Sequence, residues 1–460
     1  MPEPMVNVAW AIVDTGWVAA ADSASLAGHT HGAPQELHQA REAHVTWPSR
    51  RALAAWFGVF ALYAGVTIIT GHADGTWAAW ACGGYAVTAL LFLAPTGWAL
   101  PLVAAVGGAL IAPLLWLILR APATGEVVVI GRSTRYLLAH GTPYLPQSML
   151  TDWMHYNPYL PLMQVFGLPR SAGFSGVLGD PRIWTTLTTV AALFTAFTIV
   201  SPHRVRDCRD CGNRVALFSV FATATPLVAF PLAVGETDPP IIALTCLTLA
   251  WASRGKLVRA GVVLAVACAM KTTAWAVIPV LGVMVWVRYA PRFAGRFTAT
   301  AVGLTGLLAI LAAPEALATP VAVNSVRQNL IDFPLGTTKY KTPAQSPLPG
   351  HMIAGLGPIG HAAAVALMAL AVVAFAAWIL GCPPRSARDA AVRLAVGYAV
   401  MFTLDPSTRF GYFTYPLALL GWLALTPPDS GGQVPGWLTA VSRRLPWRAG
   451  GYEPMRQEAR

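Results

Sequence analysis

Charge is scarce in this sequence. Asp, Glu, Lys and Arg make up 11% of it and hydrophobic residues 55%, where a soluble globular domain carries about 25% charged residues. An ordinary soluble globule is excluded. Acids are scarcer than bases, 20 against 31, which leaves a net charge of +11. The cations are spread over many short loops and form no basic stripe interleaved with aromatics, so nucleic acid is not the expected partner. Cysteine is also rare. Cys82, Cys246 and Cys268 fall in apolar segments, where a thiol acts as a small hydrophobe. Cys208 and Cys211 form a CxxC with only His203 nearby, one ligand short of a zinc site. No GxxxxGK[ST] phosphate loop occurs, and GLGPIG at 355–360 follows no strand. Residues 1–50 lack a basic n-region and do not read as a signal peptide.

Long apolar runs are what is present. A membrane-crossing helix needs about 20 mostly apolar residues, and candidates stand at 51–70, 77–94, 98–119, 183–200, 215–234, 240–253, 297–313 and 361–380. Two further runs are interrupted by charge, 261–286 by Lys271 and 394–425 by Asp405 and Arg409. A charge at the bilayer centre is expensive, whereas one at a helix end can snorkel. Each interrupted run is therefore expected to be a hairpin of two short helices. The fold class is an all-α polytopic integral membrane protein of about twelve segments.

Alternating those segments from a cytoplasmic N-terminus sends most cations to the cytoplasmic side, among them Arg204, Arg206, Arg254, Lys256, Arg288, Arg292, Arg385 and Arg388. That agrees with the positive-inside rule. It makes 51–426 the membrane domain, flanked by cytoplasmic tails at 1–50 and 427–460. Two long loops, 120–182 and 314–360, then face outside. Loops of that length inside a compact protein are usually functional or disordered. In the first, GEVVVIGRSTRYLLAH mixes Arg132, Arg135 and His140 with apolar residues, the pattern of a helix lying in a membrane interface. Glu126 opens its β-branched run, VVVI. The stretch TDWMHYNPYLP follows and reads as the rim of a site, stiffened by proline.

The combination of Glu126, LLAHGTPYL, YNPYLP, AMKTTAWAVIP and STRFGYFTYPLALL resembles the polytopic GT-C glycosyltransferases, in particular glycosyltransferase family 87, over roughly residues 51–426. The resemblance implies an active site on the outer face, a polyprenyl-phosphate sugar donor with mannose first among sugars, a lipid or glycan acceptor, and a catalytic acid in the first large external loop. The family more often places Asp there, and this chain has Glu126.

The residues support the same chemistry without the resemblance. Sugar transfer from a lipid phosphate needs a base for the acceptor hydroxyl and cations for the departing phosphate. Glu126 and Asp152 are the candidate bases. Asp152 reads equally well as an N-cap. Lys271, Arg409 and His351 are the candidate phosphate ligands, Arg409 having Asp405 as an alternative partner four positions earlier. His155, Tyr156, Asn157, Tyr159, Glu236 and Asp238 are candidates for substrate binding. A divalent metal is a further candidate ligand of Glu236 and Asp238, and no cofactor is assigned. The competing classes are a lipid-intermediate transporter, for which the expected internal repeat is missing, and a catalytically inactive membrane scaffold.

Overall fold

A computed structural model describes residues 49–70, 75–121, 123–200, 219 and 221–426. The two expected tails and the Cys208–Cys211 pair lie outside them. Among the described residues the structure is helical, without strands. Six helices are long and apolar enough to cross a membrane. They are α1 (Arg50–Ile69), α2 (Gly75–Leu93), α3 (Ala99–Arg120), α5 (Pro181–Val200), α10 (Pro291–Ala312) and α12 (Pro358–Gly381). Between them stand α4 (Gly125–His140), α6 (Pro226–Val234), α7 (Asp238–Ser253), α8 (Leu257–Met270), α9 (Val277–Arg288), α11 (Pro320–Arg327), α13 (Ala387–Leu404) and α14 (Thr414–Leu425).

The first three helices and α6 share one apolar core around Phe57, Trp77, Tyr85 and Leu110. Helix α3 is not regular throughout, because Gly107–Ile111 forms a π-turn. Such a turn frees a carbonyl from the helical ladder, and Trp77 Nε1 donates to Ala109 O at 2.8 Å. The adjacent Gly108 lies against Gly84 of α2 so closely that a Cβ there would stand 2.4 Å from the Gly84 Cα. Arg50 draws the start of α1 onto the end of α2, donating to the carbonyls of Leu91, Phe92 and Ala94. A cation at a helix C-terminus is favoured by the helix dipole.

Helix α7 is buried along almost its whole length. A helix apolar on every face belongs in the middle of a packed unit, and α5 and α8 pack on either side of it. The two interrupted runs both reverse direction. Gly261 of α8 packs on Phe297 and Thr300 of α10, and Gly282 of α9 packs on Thr298 of the same helix. The chain therefore passes up α8 and back down α9, turning at Lys271–Ala276. In the second run Arg388, at the start of α13, donates to Leu423 O and Thr426 O at the end of α14. That antiparallel pair turns at 405–413.

The long loops are ordered and largely helical. The helix expected over GEVVVIGRSTRYLLAH is α4, and the VVVI run lies inside it. β-propensity is weak and yields to packing, and here Val127, Val129 and Ile130 are buried against the body of the protein.

Candidate active site

Six of the expected residues, Tyr159 among them, meet in one place, although they come from five parts of the chain. Glu126 stands in the first turn of α4, where a carboxylate is favoured by the helix dipole. Glu236 and Asp238 flank the gap between α6 and α7. That gap is shaped by Gly235, whose φ of 94° is left-handed and whose missing side chain admits Val127 and Arg182. Both Gly235 N and Glu236 N donate to Pro231 O, at 3.0 and 2.8 Å, which closes the end of α6. Lys271 and Arg409 come from the two hairpin turns.

These residues form two linked ion pairs. Arg409 donates to Glu126 Oε1, and Lys271 donates to Asp238 Oδ1. Thr237 joins the pairs. Its backbone N–H and its hydroxyl both donate to Glu126 Oε2 at 2.8 Å, and Lys271 Nζ approaches its Oγ1 at 3.3 Å. Tyr415 donates to Asp238 Oδ1 at 2.7 Å, and Thr273 shares a hydrogen bond with the same phenol at 2.8 Å. Aromatic rings wall the cluster. Lys271 Nζ lies 5.6 Å from the ring centre of Tyr159, and the Arg409 guanidinium lies 5.0 Å from that of Tyr412. Rings at these distances attract cations.

Two polar atoms in this cluster, Asp238 Oδ2 and Arg409 Nε, are buried without a hydrogen-bond partner. Unsatisfied buried groups are costly, and their concentration in one site marks it as built for something more than folding.

The two glutamates are tuned apart. Burial pushes the Glu126 carboxyl up, but Arg409 and then Lys271 outweigh it, with hydrogen bonds from Arg409 and Thr237, and hold it at about 2. Glu236 has no such clamp. Burial pushes it up to about 7, opposed by Arg409 and reinforced by the charges of Glu126 and Asp238. Groups whose environments separate their pKa values are a common feature of functional sites.

The remaining expected residues stand elsewhere. Asp152 caps a short turn by accepting from Met154 N at 2.9 Å, and His155 Nδ1 accepts from Thr151 N at 3.2 Å. Tyr156 is stacked on Phe333 with ring centres 4.5 Å apart. Asn157 is fully buried, its N–H donating to Asn329 and its Oδ1 accepting from Tyr159 N at 3.1 Å. These contacts organise the loop that delivers Tyr159. His351 lies beside the second hairpin turn, with Nδ1 2.9 Å from Pro406 O. Arg409 does not pair with Asp405, whose Oδ1 instead accepts from Ser407 N at 2.9 Å. Thr237, Tyr412 and Tyr415 join the site without having been singled out in the sequence. The two tyrosines lie within FGYFTYP, where aromatic density was the available signal.

Among the described residues, no group of three or more His, Cys, Asp or Glu side chains is placed to hold a metal ion. Lys271 and Arg409 stand between the carboxylates and neutralise them.

All-helical described residues with six membrane-length apolar helices and a largely buried cluster of paired charges define a polytopic membrane protein with a polar site. Its sequence defines it more narrowly: the model of glycosyltransferase family 87 matches residues 159–406, and the chain belongs to that family. It is therefore a glycosyltransferase. The matched region includes Tyr159, Glu236, Asp238 and Lys271, while Glu126 lies well before it and Arg409 just after it. Comparison with curated proteins and with solved structures returned no match.

Proposed function

We propose that the protein transfers a sugar, mannose first among the candidates, from a polyprenyl-phosphate donor to a hydroxyl of a lipid or glycan acceptor, with inversion. The reaction takes place at the outer face of the cell membrane, and both termini are cytoplasmic. The observation that carries this reading is the pair of cations at the hairpin turns, each held by a carboxylate in one buried cluster. The carboxylates keep Lys271 and Arg409 aligned until the donor phosphate replaces them as anionic partner. Stabilisation of the departing phosphate then needs only an exchange of anionic partner, since both cations already stand in the cluster.

The same exchange activates the base. Once Arg409 turns to the phosphate, the clamp on Glu126 is loosened and its carboxylate is available to the acceptor hydroxyl. The acceptor oxygen then bonds to the anomeric carbon, the bond from that carbon to the phosphate oxygen breaks, and the acceptor proton passes to Glu126. Attack opposite the leaving phosphate inverts the centre. Tyr159 and Tyr412 offer aromatic faces beside the cations, and Glu236 accepts a hydrogen bond from a sugar hydroxyl.

The test is product formation by the purified protein in lipid nanodiscs, given a panel of polyprenyl-phosphate sugars and read by mass spectrometry. Sugar-loaded product from a lipid-phosphate donor, with inverted anomeric configuration, is expected. Transfer from nucleotide sugars and from no lipid-linked sugar would overturn the donor assignment.

A further inference from the structure

Helix α4 carries a second polar feature that the proposed reaction does not use. Arg132, Arg135, Tyr136 and His140 recur at three- and four-residue spacing and share one helix face, turned roughly a third of a revolution from Glu126. The chain at 145–155 returns beside this face and borders an open, shallow groove of about 520 Å³, to which Met149 and His155 also contribute. No acid is among its lining residues.

Its donors are not used up by the fold. Arg132 donates to Met154 O and, at 3.2 Å, to Ser133 Oγ, but its buried Nε has no partner. Arg135 is exposed and makes no hydrogen bond or ion pair among the described residues. His155 Nδ1 accepts from Thr151 N–H, which puts the proton of the neutral ring on Nε2 and makes that nitrogen a donor. His140 stacks on Tyr136 with ring centres 4.1 Å apart. The rim is apolar. Met149 is 49% exposed, and Leu145 and Ala139 stand beside it. The uncommitted guanidinium of Arg135 beside the exposed Met149 suits a ligand with an anionic head and an apolar body, and arginine is the residue that best matches phosphate geometry.

The geometry points to this groove as a binding site for the phosphate of an anionic lipid head group, held by Arg132, Arg135 and His155. It is separate from the Glu126 cluster and does not depend on the donor assigned there. The lipid would fix the height of α4 in the membrane interface, and with it the position of Glu126 at the start of the same helix.

The full-length protein in phosphatidylcholine nanodiscs, titrated with phosphatidylglycerol and examined by native mass spectrometry, tests this. Retention of phosphatidylglycerol over phosphatidylcholine is expected to fall about ten-fold or more in Arg135→Gln, the loss of one charge-assisted contact. Arg135→Lys should keep part of the preference, and Glu126→Gln should keep all of it. Equal retention by the protein and by Arg135→Gln would overturn the site. Competition by soluble glycerol phosphate at the same concentration as the lipid would overturn the lipid as its source.

Discussion

Glu126 and Glu236 have the same side chain and share one cluster, yet they are held at about 2 and about 7. The difference is Arg409, which pairs with the first and only approaches the second. Glu126→Gln keeps the size and most hydrogen bonds of the side chain but cannot take a proton. Turnover should fall roughly 10²–10⁴-fold while donor binding persists, as loss of a general base predicts. Asp152→Asn, a change at a turn cap, should leave turnover within a few-fold. A dead Asp152→Asn with a normal Glu126→Gln would move the base to Asp152.

Glu236 makes a distinct prediction in pH. Its folded-state pKa is raised from 4.5 to about 7, so between those values the folded protein binds more protons than the unfolded one. Stability then declines as pH rises from about 4.5 to about 7 and levels off above. Glu126 works the other way and only in acid, its contribution being lost as pH falls from 4.5 towards about 2. Thermal unfolding in detergent should show the first decline, and Glu236→Gln should flatten it. Donor affinity should follow the same pH, because ionised Glu236 adds a negative charge beside the phosphate site. The donor KM should therefore rise above about pH 7, less steeply in Glu236→Gln.

At the scale of elements, the two hairpin turns are the parts that make the site. Lys271 was recognisable because a lysine between two apolar half-helices has few structural reasons to be there. Its partner was not recognisable, since Asp238 lies over thirty residues away and nothing local couples them. Arg409 had a plausible local partner in Asp405, and the fold chose the distant Glu126 instead. Lys271→Met should leave Asp238 buried and unpaired, and removing one partner of a buried ion pair typically costs about 3–5 kcal/mol. Lys271→Met with Asp238→Leu should recover much of that stability, measured by detergent thermal unfolding, without recovering activity. A single variant as stable as the parent would make the pair peripheral. Gly235 belongs to the same scale: Gly235→Ala combines a left-handed backbone with a clash against Val127 and Arg182. It should lower both stability and turnover, because it moves Glu236 and Asp238 together.

For the whole molecule, orientation in the membrane is the property that can be measured most directly. Gln345 and Cys382 are both exposed and lie on either side of the 24-residue α12. In intact cells, Gln345→Cys should react with an impermeant maleimide, whereas native Cys382 should react only after the cells are opened. Labelling of both from outside would mean that α12 does not cross, and the reverse pattern would place the active-site turns inside.

The solvent, the helical class and most helix positions were determined by the sequence alone. Apolar runs and helix-ending charges act locally, and a bilayer leaves little choice but to pair every backbone group within a helix. The family resemblance was legible for a similar reason, as short runs of neighbouring residues. The helix through VVVI was legible as well, but which of its residues would be buried was not. Nor were the roles within the site. Tyr156 and Asn157 had the right chemistry for a sugar, but packing stacks Tyr156 on Phe333 and turns the buried Asn157 side chain back onto the N–H of Tyr159. Which carboxylate holds which cation, and which stays free to titrate near neutrality, depended on bringing α4, the α6–α7 gap and the two turns to one point. Charges that far apart along the chain are coupled only by the distances that tertiary packing sets.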